Sequence, residues 1–141
     1  MLRVRKAGID VGIVVSDIAA QVRFYGTTLG LPDVGEVAIP EGRLHFFSCG
    51  QSLLKLYVRQ AARKSPRVPF GEMAGIAYLT LDIDNLDAAM ASVQRDAATI
   101  VVPISDFDAG VTLPEPAGRV RARYAMIADP EGNLVELLER S

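Results

Sequence analysis

Apolar and polar positions along the chain change period several times, and the changes repeat. Asp10-Val-Gly-Ile-Val-Val-Ser-Asp-Ile18 is an apolar, strand-like run, and Ala19 to Gly30 follows it with helical spacing. In that helix Ile18, Val22, Tyr25 and Leu29 recur at three- and four-residue steps and form one apolar stripe. Gly30 stands where the helix would end in a left-handed turn. Far downstream, Tyr78-Leu-Thr-Leu-Asp-Ile-Asp-Asn-Leu86 is again strand-like, and Asp87 to Ala97 is again helical, with Leu86, Ala89, Met90, Val93 and Ala97 as its stripe. The two segments align position for position at an offset of 68 residues, Asp10 to Tyr78. Each carries short polar side chains before its helix, Ser16 or Asp17 in the first and Asp84 or Asn85 in the second. Such oxygens accept from the free N–H groups of a first helical turn.

After each helix the period falls to two. Gly35 to Ile39, Arg43 to Cys49 and Ser52 to Arg59 read as strands in the first half, divided by Pro40-Glu-Gly42 and Gly50-Gln51 turns. Thr99 to Ile104, Arg119 to Ala128 and Leu134 to Glu139 read as strands in the second, with Asp129-Pro-Glu-Gly-Asn133 as a hairpin turn. The prediction is an α+β chain of two βαβββ modules in one domain, 1–141: module 1 at about 7–59, a linker rich in Arg, Lys and Pro at 60–72, and module 2 at about 73–140.

Composition narrows the function classes. Half of the 141 residues are hydrophobic and 23% are charged, ample for a folded core. A net charge of −2 argues against a nucleic-acid partner, since phosphate neutralisation needs a cationic surface. No apolar run approaches the roughly 20 residues of a membrane span, and no apolar segment follows the basic start Met1 to Lys6, so a cytoplasmic chain is expected. The lone Cys49 can close no internal disulfide and shows no basic neighbour to activate it. The composition leaves a small-molecule or protein partner, of which a small organic ligand is expected.

The residues Val11-Gly-Ile-Val-Val-Ser-Asp-Ile18, Phe24-Tyr25, Leu29-Gly-Leu31 and above all Asp129-Pro-Glu-Gly-Asn-Leu-Val-Glu-Leu137 give the chain a family likeness. It resembles the vicinal oxygen chelate superfamily, also called glyoxalase/bleomycin resistance/dioxygenase, over about Ala7 to Arg140. The resemblance implies a cup-shaped mixed sheet with helices outside and a ligand cavity inside. It also implies a homodimer. It leaves function open among isomerases, lyases, dioxygenases, transferases and non-catalytic drug binders.

Most of those enzymes hold a divalent metal at four positions, on the first and last strand of each module. Carried over, those positions fall on Asp10, Tyr78, Glu136 and Lys55, with Leu54 the alternative in the looser register of the first module. Period two favours Lys55, because Leu54, Leu56 and Val58 then form the helix-facing stripe. Only Glu136 is the usual ligand type. A protonated ammonium has no lone pair and repels a dication, so no metal cofactor is favoured; Lys55 is expected to replace it, paired with Glu136, Asp10 or both. The alternative is a divalent-metal lyase, isomerase or dioxygenase with Glu136, Asp10 and Tyr78 as ligands.

Tyr78, Lys55 and Glu136 are thus the candidate catalytic groups for acid/base chemistry, and Asp10, His45, Tyr57, Arg121 and Arg123 the candidate ligand contacts. Tyr78 equally suits a packed sheet aromatic, and His45, the only histidine, can face either side of its strand. Arg119, Arg121 and Arg123 alternate on one strand. Pairing Ala128 with Asn133 across the turn would set Arg121 and Arg123 on the face of Glu136, as clamps for an acid group. Lys55 and Glu136 lie 81 residues apart, so module 2 holds 13 extra residues, around Ser105 to Gly118. They are expected to form a loop over the ligand site or against a second subunit.

Overall fold

The computed structural model describes every residue except Gln60, Ala61, Lys64, Ser65, Arg67 and Ser141, so much of the predicted linker lies outside the described residues. The chain divides into two units, Met1–Pro66 and Arg67–Ser141. Unit 1 contains β1 (Val11–Val15), α1 (Ile18–Val22), a π-helical segment (Arg23–Thr28), β2 (Asp33–Ile39), β3 (Gly42–Cys49) and β4 (Ser52–Val58). Unit 2 contains β5 (Leu79–Asp82), α2 (Leu86–Arg95), β6 (Thr99–Thr112), β7 (Arg119–Ala128) and β8 (Leu134–Arg140). Each is a four-stranded mixed sheet, in order β1-β4-β3-β2 and β5-β8-β7-β6, with its first strand parallel to its last. The α+β class and the βαβββ repeat are as expected.

The repeat holds in register as well as in sequence. Val11 pairs with Leu54 and Gly12 with Lys55; Leu79 pairs with Val135 and Thr80 with Glu136. Offsets of 68 on the first strands and 81 on the last therefore relate equivalent ladder positions.

In each unit one sheet face is buried beneath the helix. Val15, Phe47, Leu54 and Leu56 are buried in unit 1, where the rings of Tyr25 and Phe47 lie 6.4 Å apart. The predicted single helix is α1 followed by π-helical turns, marked by Leu29 N–H donating to Phe24 O at 3.0 Å. The buried positions are Gln21, Phe24, Tyr25 and Thr28, so of the predicted stripe of Ile18, Val22, Tyr25 and Leu29 only Tyr25 is fully buried. Asp17 caps α1, its carboxylate accepting from Ala20 N at 3.0 Å, and Gly30 takes the left-handed conformation expected of it (φ 71°). In unit 2, Leu86, Met90 and Val93 bury with Ala125, Ile127, Val135 and Leu137. Fully burying each large aliphatic side chain contributes about 1.5–3 kcal/mol.

Two expectations for unit 2 are corrected. The 13 extra residues are largely strand, not loop: β6 runs on to Thr112 and pairs with β7 through Phe107–Ala122, Asp108–Arg121 and Thr112–Arg119. β8 accompanies β7 only as far as Ala122, so beyond it the hairpin is a two-stranded ribbon. The β7–β8 register also differs by one residue: Ala128 pairs with Leu134 and Met126, not Ala125, with Glu136. The buried Asp129 sets it. Its backbone N–H donates to Asn133 O at 2.9 Å, while its carboxylate accepts from Glu131 N, Asn133 N and Asn133 Nδ2. Asp129 thus takes the place opposite Asn133 that the turn pattern gives to Ala128.

Candidate functional site

The chemistry of unit 1 collects on the sheet face opposite its helix. Strand alternation places Lys55 and Tyr57 there, because Leu54 and Leu56 occupy the helix side. Asp10 stands just before β1. Its Oδ2 lies 3.8 Å from Lys55 Nζ, and its Oδ1 accepts from Leu53 N at 2.8 Å and from the Lys6 ammonium. These contacts, Lys6 first, hold the Asp10 carboxyl below its ordinary value. The expected pairing of Lys55 with Asp10 is present, but the Lys55 side chain is 35% exposed rather than buried. Tyr57 lies beside it with the Arg59 guanidinium 5.9 Å from its ring centre.

In unit 2 Glu136 accepts from the Thr80 hydroxyl at 2.7 Å, across the parallel pair β5–β8. Thr80 was missed in the sequence, although the 68-residue offset makes it the counterpart of Gly12. Lys6 was missed too; its four-residue spacing from Asp10 was the available signal. Tyr78 precedes β5, is partly exposed and lies against Phe70, with ring centres 6.2 Å apart.

Three candidates lie away from these faces. His45 pairs with Leu56 and shares the helix side with Phe47, whose ring centre is 5.1 Å away. Its Nε2 is 3.0 Å from Asp33 Oδ1 yet out of line for a hydrogen bond, and its Nδ1 is 3.7 Å from Glu36 Oε2. Arg123 pairs with Glu139, three residues along β8 from Glu136, which pairs with Met126, so Arg123 faces opposite to Glu136. Its guanidinium holds Asp87 on α2 through two hydrogen bonds of 2.9 and 3.1 Å and Glu139 at 2.9 Å. Arg121 shares the face of Arg123 by alternation and is exposed, its charge near Asp108. The one-residue register shift is the whole reason, since a slip of one exchanges the two faces of a strand. Burial pushes the Cys49 thiol up, in keeping with an unreactive cysteine.

With the repeat, the register and these faces in place, comparison with known proteins is decisive at the family level: the model of the Glyoxalase/Bleomycin resistance protein/Dioxygenase superfamily matches residues 9–137. The chain belongs to that superfamily. No curated protein matches its sequence. Among solved structures, a glyoxalase/dioxygenase from Nostoc punctiforme is 21% identical with a TM-score of 0.71, covering 97% of this chain and 92% of that one. TnmS3, an antibiotic binding protein from Streptomyces sp. CB03234, is 21% identical with a TM-score of 0.64, each chain covered completely. A superfamily domain from Frankia sp. EAN1pec is 13% identical with a TM-score of 0.72, covering 100% of this chain and 99% of that one. These likenesses concern the fold.

The metal typical of the glyoxalase superfamily does not fit the residues present. Of the four inherited positions one is an ammonium, and Asp10 already binds two lysines and a backbone amide. A dication there would have to displace Lys6 and Lys55 from the carboxylate. Among the described residues, no three His, Cys, Asp or Glu side chains are grouped as a metal site. No helix among them is long and apolar enough to cross a membrane.

Proposed function

We propose that this superfamily member binds a small organic molecule on the sheet faces opposite its helices, and does so without a divalent metal. One observation carries the reading: the position from which the first module would supply a metal ligand holds Lys55, ion-paired with Asp10 at 3.8 Å. The ammonium contributes fixed positive charge where the metal would, but offers hydrogen-bond donors instead of open coordination sites. An antibiotic binding protein with the same fold supports a role in sequestration. Acid/base chemistry by Lys55, Glu136 and Tyr78 on a bound substrate is the catalytic form of the same reading. The working state proposed is a homodimer.

The test is metal content together with a thermal-shift screen of organic compounds on the purified protein. Substoichiometric Zn, Ni, Mn, Fe and Mg, a melting temperature indifferent to chelator, and at least one stabilising organic compound are expected. One tightly held metal equivalent whose removal lowers the melting temperature would overturn the metal-free reading.

A further inference from the structure

The registers of sheet 1 arrange its open face in two rows that run across all four strands. One row is Gly12, Lys55, Phe46 and Gly35; the next is Val14, Tyr57, Leu44 and Val37. The second row is apolar apart from the Tyr57 hydroxyl, and its ends are open to solvent, Val14 at 53% and Val37 at 49% exposed. The first row ends in glycine on both edges, and a Cβ built on either glycine meets nothing within 4 Å. The face is therefore largely apolar, with the Lys55 ammonium rising from it and the Arg59 guanidinium beside the Tyr57 ring. A large exposed apolar surface around a charged group is a recognition surface by default.

The charge on that platform is unbalanced. Lys6 and Lys55 share the single carboxylate of Asp10, and Lys6 makes the closer contact. Arg59, the next cation, is paired with Glu41 at 3.2 Å. One positive charge at Lys55 is left to be met from outside, and the partly exposed ammonium keeps donors free for it. A ligand satisfying both features is planar, apolar and singly anionic. The ring lies along Val14, Tyr57 and Leu44, while the acid group reaches Lys55 beside the space left by Gly12.

From this geometry we infer that the open face of sheet 1 binds a flat aromatic carboxylate, with Lys55 as the specificity-determining residue. The inference rests on the proposed binding function and names its ligand class. Its test is calorimetric titration with 2-naphthoate, its neutral analogue 2-naphthamide, and acetate. The carboxylate should bind at least about tenfold more tightly than the amide, the usual value of one charge-assisted hydrogen bond, and acetate should give no heat. Lys55→Met should erase the preference and Lys55→Arg should keep it, with unchanged melting of both variants showing intact folding. Equal affinity for naphthoate and naphthamide, or a preference surviving in Lys55→Met, would overturn the assignment. If neither naphthyl compound binds while the thermal-shift screen yields another organic ligand, the ligand class fails and the binding function stands. If no organic compound binds at all, both fail together.

Discussion

Glu139 caps a helix that lies 53 residues before it in sequence: its Oε1 accepts the Leu86 N–H, the first of α2, at 3.1 Å. Asn85, the local N-cap, makes no side-chain hydrogen bond to the helix. The same carboxylate holds Arg123 through Oε2, and Arg123 in turn holds Asp87. Strand β8, strand β7 and the start of α2 are thereby joined by one group of charges on the helix side of sheet 2. Glu139→Ala should cost about 1–2 kcal/mol of unfolding free energy, the usual loss of a cap. Glu139→Gln keeps an acceptor for Leu86 and should cost less. Urea titrations of both variants check this, and equal losses would show that the cap is not the operative contact.

Asp10 makes stability depend on acid. Its carboxyl lies below the ordinary value when folded, so it stabilises the protein above the unfolded value, about 3.9, and that contribution is lost as pH falls through the lower folded value. Asp10→Asn should therefore melt below wild type at pH 7, with the gap closing as pH falls below the ordinary carboxylate range. High salt should narrow it too, because the pair with Lys55 is part-exposed. A gap independent of pH would show that the charge of Asp10 is not what stabilises the folded state.

Gly26 is set by packing rather than by backbone freedom. A Cβ added there would lie 3.1 Å from Phe47 Cε1, and Phe47 is fully buried between the helix and sheet 1. Helix propensity favours Gly26→Ala by about 1 kcal/mol, whereas overpacking a filled core costs about 1–3 kcal/mol. The net expectation is a loss of about 1 kcal/mol, measured by urea unfolding. A stabilised variant would show that the Phe47 ring can yield.

The ribbon beyond Ala122 should be dispensable for folding. Phe107 and Ala122 face each other across β6–β7, so residues 108–121 can be replaced by Asn-Gly, a two-residue turn suited to such a pair. The exchange loses the 2.8 Å hydrogen bond from Arg140 to Ala117 O, worth about 1 kcal/mol. Unchanged far-UV dichroism and a melting temperature within a few degrees of wild type are expected. Aggregation or loss of cooperative melting would make the ribbon part of the folding core.

Much of this was legible in the chain because it repeats. The 68-residue offset, the switch from helical to twofold period and the capping residue Asp17 are local signals, and each falls where the structure has it, whereas α2 takes its cap from distant Glu139 rather than from Asp84 or Asn85. For the candidate site, the facing of Lys55 and Tyr57 and the ion pair with Asp10 were legible, since buried Leu54 and Leu56 leave Lys55 one facing. The reading of the second unit's arginines did not hold. It failed at Arg121 and Arg123 because their facing hung on a turn whose geometry is set by a buried carboxylate. Asp129 reads as a turn residue in sequence, and nothing local says that it pairs with Asn133. His45 went unresolved for a like reason, since the Cys49-Gly50-Gln51 turn leaves the register of its strand open in the sequence.

The paired registers of Gly12 with Lys55 and Thr80 with Glu136 mark one ladder position written twice, with a base in one copy and an acid in the other. A protein assembled from two identical half-chains must use the same amino acid at both copies, and its binding surface is then as symmetric as the assembly. Fusion into one polypeptide gives each copy its own codon. Lys55 and Glu136 can therefore differ at one ladder position, and each unit's open sheet face carries its own charge.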